Sequence, residues 1–303
     1  MKRMNRTALF LLLTFAISYS LAGVYKLTGG DLTNRIGFTI FAATYMFIPM
    51  ISAIIVKKFI HREKLGDLFI SFKINRWFLV AWILMPIIVF STFGISLLLP
   101  GVSYSPEMTG LFDLFENIIT PEQVQLMKNS IENLPFDFFW ITLLQGLIAG
   151  ITINAVAGFG EELGWRGFLL NEFKGMSFFK ASVIIGFIWG IWHAPIILMG
   201  HNYPQHPRIG VFMMIVWCIL LTPIFIYITI KSKSVVAAAI SHGTLNGTAG
   251  LSIMKIEGGS DLTTGVAGLA GFIALLIVLT GIFIYDSYIS KDKILINKIS
   301  NYL

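Results

Sequence analysis

The stretch FFWITLLQGLIAGITINAVAGFGEELGWR, residues 138–166, carries no charge as far as Gly160 and then sets down Glu161, Glu162 and Arg166 in quick succession. As a helix rising 1.5 Å per residue, the run 138–159 reaches roughly 33 Å, about the thickness of a bilayer's hydrocarbon core. Seven further apolar stretches of spanning length fall at 8–25, 36–56, 77–99, 178–199, 209–230, 235–254 and 264–285. The expectation is an all-α polytopic membrane protein with about eight transmembrane helices. Composition agrees: 56% hydrophobic residues, 13% charged residues and a mean hydropathy of +0.79 over 303 residues exclude an ordinary soluble domain.

Basic residues orient the chain. With the amino terminus inside, only Lys26, Arg35, Lys128, Arg208 and Lys255 of the 22 lysines and arginines fall outside, so both termini are expected in the cytoplasm. The net charge of +6 follows from this loop bias toward an anionic inner leaflet. No run interleaves basic and aromatic residues as a nucleic-acid platform would, and no nucleic-acid partner is expected. The first apolar run, preceded by Lys2, Arg3 and Arg6, reads as a retained helix rather than a cleaved leader, because keeping it preserves the charge alternation of all eight spans. Cys218, in mid-span, is the sole cysteine; it allows no internal disulfide and reads as a small apolar residue.

The chain reads as one membrane domain over 1–303, with no internal repeat. The first three stretches carry no polar constellation. The connection 101–137 is acidic, with Glu107, Asp113, Glu116, Glu122, Glu132 and Asp137, and 121–133 within it predicts a surface helix opened by Thr120 as N-cap with Gln123 three residues on.

Chemistry concentrates in 138–250. Glu162 and Arg166 are spaced i, i+4 and can pair on one helix face. Glu161, about 100° away around the helix, is left free as a candidate general base. Two later apolar runs repeat the i, i+4 spacing: Trp189 with His193, and His242 with Asn246. A lone membrane histidine is commonly a satisfied packing group; two on different helices, with a free glutamate in reach, argue for a site. An imidazole and an amide one turn apart can hydrogen-bond a developing oxyanion. His61, His201 and His206 fall in loops and are expected to be exposed.

Glu161, Glu162 and Arg166, then His193 four residues after an aromatic, then His242 and Asn246, in this order on successive helices, resemble the CPBP family of CAAX proteases and bacteriocin-processing enzymes. The resemblance covers about 138–250. It departs at Trp189, where the family usually has phenylalanine, which still leaves an aromatic in place. It implies an eight-helix intramembrane endopeptidase in which Glu161 activates water with help from His193. It also implies that His242 and Asn246 form the oxyanion site while Glu162, Arg166 and Trp189 shape the pocket. The expected partners are a peptide or membrane-protein substrate and the lipid bilayer, in a bacterial cytoplasmic membrane. The family has long been labelled metalloprotease, and zinc is the alternative; a cofactor-free reaction is favoured because His-Glu-x-x-His spacing is absent. Two other readings stay open, a catalytically idle bacteriocin-immunity or scaffold protein and a transporter, although a transporter should show an inverted repeat.

One difficulty accompanies this reading. Measured along straight helices from the cytoplasmic side, His193 lies roughly 22 Å into its span, His242 roughly 10 Å into its own, and Glu161 at the cytoplasmic end.

Overall fold

A computed structural model describes residues 5–30, 34–113 and 120–302 of the chain. Lys2, Arg3 and Glu116 lie outside the described residues. Each of the eight apolar stretches is helical over most of its length, and the protein is an all-α, multi-pass membrane protein. The elements that position the site are α1 (Arg6–Leu27), α2 (Arg35–Ile54), α3 (Arg76–Ser96), α4 (Pro121–Glu132), α5 (Phe138–Ile151), α6 (Ile153–Glu162), α7 (Phe178–Trp192), α8 (Pro207–Ser232), α9 (Val235–Thr248) and α10 (Leu269–Ile284).

Apolarity overstates the number of straight crossings. Among the described residues, five helical segments are long and apolar enough to cross a membrane, and a sixth would be a broken span. That sixth is the stretch that opened the sequence reading. It breaks at Thr152, whose φ of −120° and ψ of −107° are not helical, and its arms Phe138–Ile151 and Ile153–Glu172 meet at 49°. Helix α7, with 15 residues, and α9, with 14, reach only about 22 Å and 21 Å, short of the roughly 30 Å core.

The break also removes the discrepancy in depth. Glu161 is not at the end of a straight span; it lies near the middle of the second arm, roughly 12 Å beyond Ile153 and roughly 16 Å before Glu172. After Glu162 the arm continues through a π-helical segment, Leu163–Leu169, of the kind often found at functional sites.

Helix α9 packs against α5, α6 and α3, and α6 packs against α2. Close approach depends on glycine. A Cβ on Gly243 would stand 2.5 Å from the Ala155 nitrogen, and one on Gly150 2.6 Å from the Thr244 Cα, so a side chain at Gly243 would drive α9 away from the arm that carries Glu161 and one at Gly150 would drive it away from the arm before the break. Outside the bundle, α4 forms as expected, with the Thr120 hydroxyl and the Gln123 side chain each accepting the other residue's backbone N–H. None of its residues is buried.

Candidate active site

Helices α6, α7 and α9 bring the sequence-designated side chains together. Glu161, Glu162, Arg166, Trp189, His193 and His242 are all buried, Glu162 and Arg166 completely. The Arg166 guanidinium donates from Nη1 to Glu162 Oε1 at 3.1 Å and from Nη2 to the Thr222 hydroxyl at 3.1 Å. Its planar group lies between aromatic faces, 4.3 Å from the Trp189 ring centroid and 4.9 Å from that of Phe225. A cation so buried is tolerable because a carboxylate, a hydroxyl and two π faces replace its water.

The same Glu162 oxygen contacts His242 Nδ1 at 2.9 Å. An ionised carboxylate can only accept, so Nδ1 carries the hydrogen and Nε2 is the nitrogen left to act. His242 Nε2 lies 3.9 Å from Glu161 Oε1, too long for a direct hydrogen bond but a close charge contact when the ring is protonated. The other Glu161 oxygen, Oε2, accepts the Trp189 indole N–H at 2.7 Å. Each glutamate keeps one oxygen without a hydrogen bond among the described residues, but Glu162 binds both Arg166 and His242 through its other oxygen, while Glu161 lines a cavity.

His193 owes its position to a helix end. Pro195, two residues on, has no N–H to offer the Ile191 carbonyl, and α7 stops at Trp192 with His193 as its C-cap. Tyrosines from α1 and α2 cover the terminus: the Tyr19 hydroxyl donates to the Ile191 carbonyl and the Tyr45 hydroxyl to the Trp192 carbonyl, each at 2.7 Å. Trp192 donates its indole N–H to the Ser18 hydroxyl at 2.8 Å. His193 Nδ1 sits 2.8 Å from the Trp189 carbonyl, which can only accept, so Nε2 is again the free nitrogen. Cys218 is buried, with its sulfur 4.0 Å from His193 Nδ1 and 3.7 Å from the Met214 sulfur.

Glu161, Trp189, His193, His242 and Asn246 all line one cavity of about 340 Å³. Much of its remaining wall is aromatic and apolar, from Phe38, Phe41, Tyr45, Met46, Trp192 and Trp217. Asn246 is exposed, and its amide makes no hydrogen bond among the described residues, which leaves it available to a ligand. Among the described residues no three histidine, cysteine, aspartate or glutamate side chains stand together in a way that would hold a metal ion.

The expectation for the three loop histidines is corrected. His201 lines the cavity and packs on Phe38 with ring centroids 5.4 Å apart. His206 is half-buried, with Nδ1 2.6 Å from Asp261 Oδ1, and His61 is also half-buried. Sequence reasoning missed Thr222, Phe225, Tyr45 and His201. Thr222 left one sign, a hydroxyl beside Pro223 in a run without charges.

Residues 136–248, which contain all of the designated side chains, match the family described as type II CAAX prenyl endopeptidase Rce1-like. On this segment the chain is similar to the CAAX proteases. It is 30% identical over 144 residues to the CAAX prenyl protease 2 of Methanococcus maripaludis. That alignment covers 44% of this chain, and the chain spans about half the length of the curated relative, 48%.

Proposed function

We propose that this protein is an intramembrane endopeptidase that hydrolyses a peptide or membrane-protein substrate in the cavity, with Glu161 activating the water. The observation that carries the reading is Glu161 itself, a buried carboxylate with one oxygen tied to Trp189 and the other without a hydrogen-bond partner among the described residues, on a cavity shared with His193, His242 and Asn246. The family match and the protease named among its relatives support the same reaction.

In this reading Glu161 takes a proton from water while His193 Nε2 accepts the second water hydrogen and orients the oxygen. The water oxygen bonds to the scissile carbonyl carbon, and the carbonyl oxygen becomes an oxyanion. Asn246 donates to that oxyanion through its amide. His242 donates through Nε2 only as an imidazolium, since Nδ1 already gives its hydrogen to Glu162. With both glutamates ionised and Arg166 positive, that second proton makes the quartet neutral. The C–N bond then breaks, and the proton held by Glu161 passes to the leaving amine. Glu162 and Arg166 hold His242 and Trp189 in place.

We take the reaction to run without zinc or another cofactor, because Glu161 can act as the base without an ion and the chain lacks His-Glu-x-x-His spacing. The bacterial cytoplasmic membrane is part of the same proposal.

The test is Glu161→Gln, isosteric but unable to take a proton, in purified protein reconstituted in liposomes. Cleavage products of a membrane-peptide library should vanish while the thermal unfolding midpoint holds. Exhaustive chelation should leave wild-type turnover intact. Full activity in Glu161→Gln removes it as the base. Activity lost on chelation and restored by zinc overturns the metal-free mechanism alone, and a wild type that cleaves nothing favours the immunity or scaffold role.

A further inference from the structure

We propose that Trp189 is a positioning residue for this reaction, its indole N–H fixing the Glu161 carboxylate so that Oε1 is the oxygen presented to water and to His242. The inference rests on the protease reading above. A carboxylate at the end of a glutamate turns easily, because the terminal torsion is broad and roughly two-fold. Something must choose its orientation. Among the described residues the single hydrogen bond on the Glu161 carboxylate is the 2.7 Å contact from Trp189 Nε1 to Oε2.

The direction of that N–H is set independently of Glu161. Trp189 is 1% exposed, with the Arg166 guanidinium 4.3 Å from its centroid and the rings of Phe225 and Trp217 at 6.0 and 6.1 Å. A ring held on these sides cannot follow the carboxylate, so the carboxylate follows the ring. Oε1 is thereby turned toward His242 Nε2, 3.9 Å away, on the cavity that both residues line. The same indole links the two ends of the site: its face takes the Arg166 cation and its edge holds the base.

The test separates the N–H from the ring. Trp189 is replaced by β-(3-benzothienyl)alanine, which keeps the bicyclic shape and face but has sulfur where the indole has N–H, and in parallel by Trp189→Phe. Loss of a hydrogen bond to a charged group predicts a fall in kcat of about tenfold or more, with KM changed by less than about twofold. The benzothienyl protein should stay folded, its unfolding midpoint lowered by no more than roughly 3–12 °C for the lost hydrogen bond. Normal kcat in the benzothienyl protein refutes the positioning role, as does a change confined to KM. Phe variant misfolding leaves the benzothienyl result decisive. If Glu161→Gln cleaves like wild type, the protease reading falls and this role with it; if Glu161→Gln is dead while the benzothienyl protein is unimpaired, only the positioning role falls.

Discussion

Arg166→Met tests whether the buried ion pair is the keystone of the bundle. The substitution keeps much of the side-chain volume but deletes both 3.1 Å donations, to Glu162 and Thr222, and withdraws the cation from the Trp189 and Phe225 faces. Glu162, completely buried, then keeps only His242 Nδ1 as a partner. Breaking a buried pair from one side costs about 3–5 kcal/mol, against about 0–1 kcal/mol for an exposed pair. At roughly 2–4 °C per kcal/mol for a chain of this size, the unfolding midpoint should drop by roughly 6–20 °C. The double variant Glu162→Gln with Arg166→Met removes both charges and leaves an amide oxygen for His242. It should recover at least half of that loss, because the penalty lies in the stranded charge. Thermal unfolding of detergent-purified protein, followed by tryptophan fluorescence, measures both. A single variant that unfolds within about 2 °C of wild type, or a double variant no better than the single, would refute the reasoning.

Asn246→Ala should lower kcat by roughly 10²-fold or more with little change in KM, the pattern of a donor used mainly in the transition state, and steady-state kinetics on a defined peptide decides it. Outside the spans, the Lys255 ammonium donates to Asp137 at 2.6 Å and holds that carboxyl below the usual carboxylate range. Asp137 also caps α5 through the Phe139 N–H. A folded-state pKa below the unfolded value of about 3.9 gives stability that is present above that value and lost as pH falls through the lower one. Asp137→Ala should therefore unfold a few degrees below wild type at pH 7, and the gap should narrow below about pH 4. A gap that stays constant with pH would assign the effect to packing alone.

The designated side chains were legible because a charge or imidazole inside an apolar run is conspicuous, and i, i+4 spacing predicts a shared face. The bend at Thr152 was not. Ile151, Thr152 and Ile153 carry no helix-breaking residue, and the break sits where Gly146, Gly150 and Asn154 fit around α9, contacts far apart in sequence. The stop at His193 had a visible sign in Pro195, yet counting apolar residues runs straight through it. His201 was misjudged for a related reason: a loop position says nothing about whether a cavity opens beneath the loop.

The covering of the α7 terminus bears on how portable the site is. Ser18, Tyr19 and Tyr45 hold the helix end from which His193 projects, and all three lie before residue 136, where the family match begins. Grafting 136–248 onto another scaffold would transfer every acid, base and amide of the proposed reaction but none of these three side chains. The recipient would inherit a histidine on a frayed helix end, with the Ile191 carbonyl lacking a donor in a medium that supplies no water. The unit that can be exchanged between proteins is therefore larger than the unit that aligns.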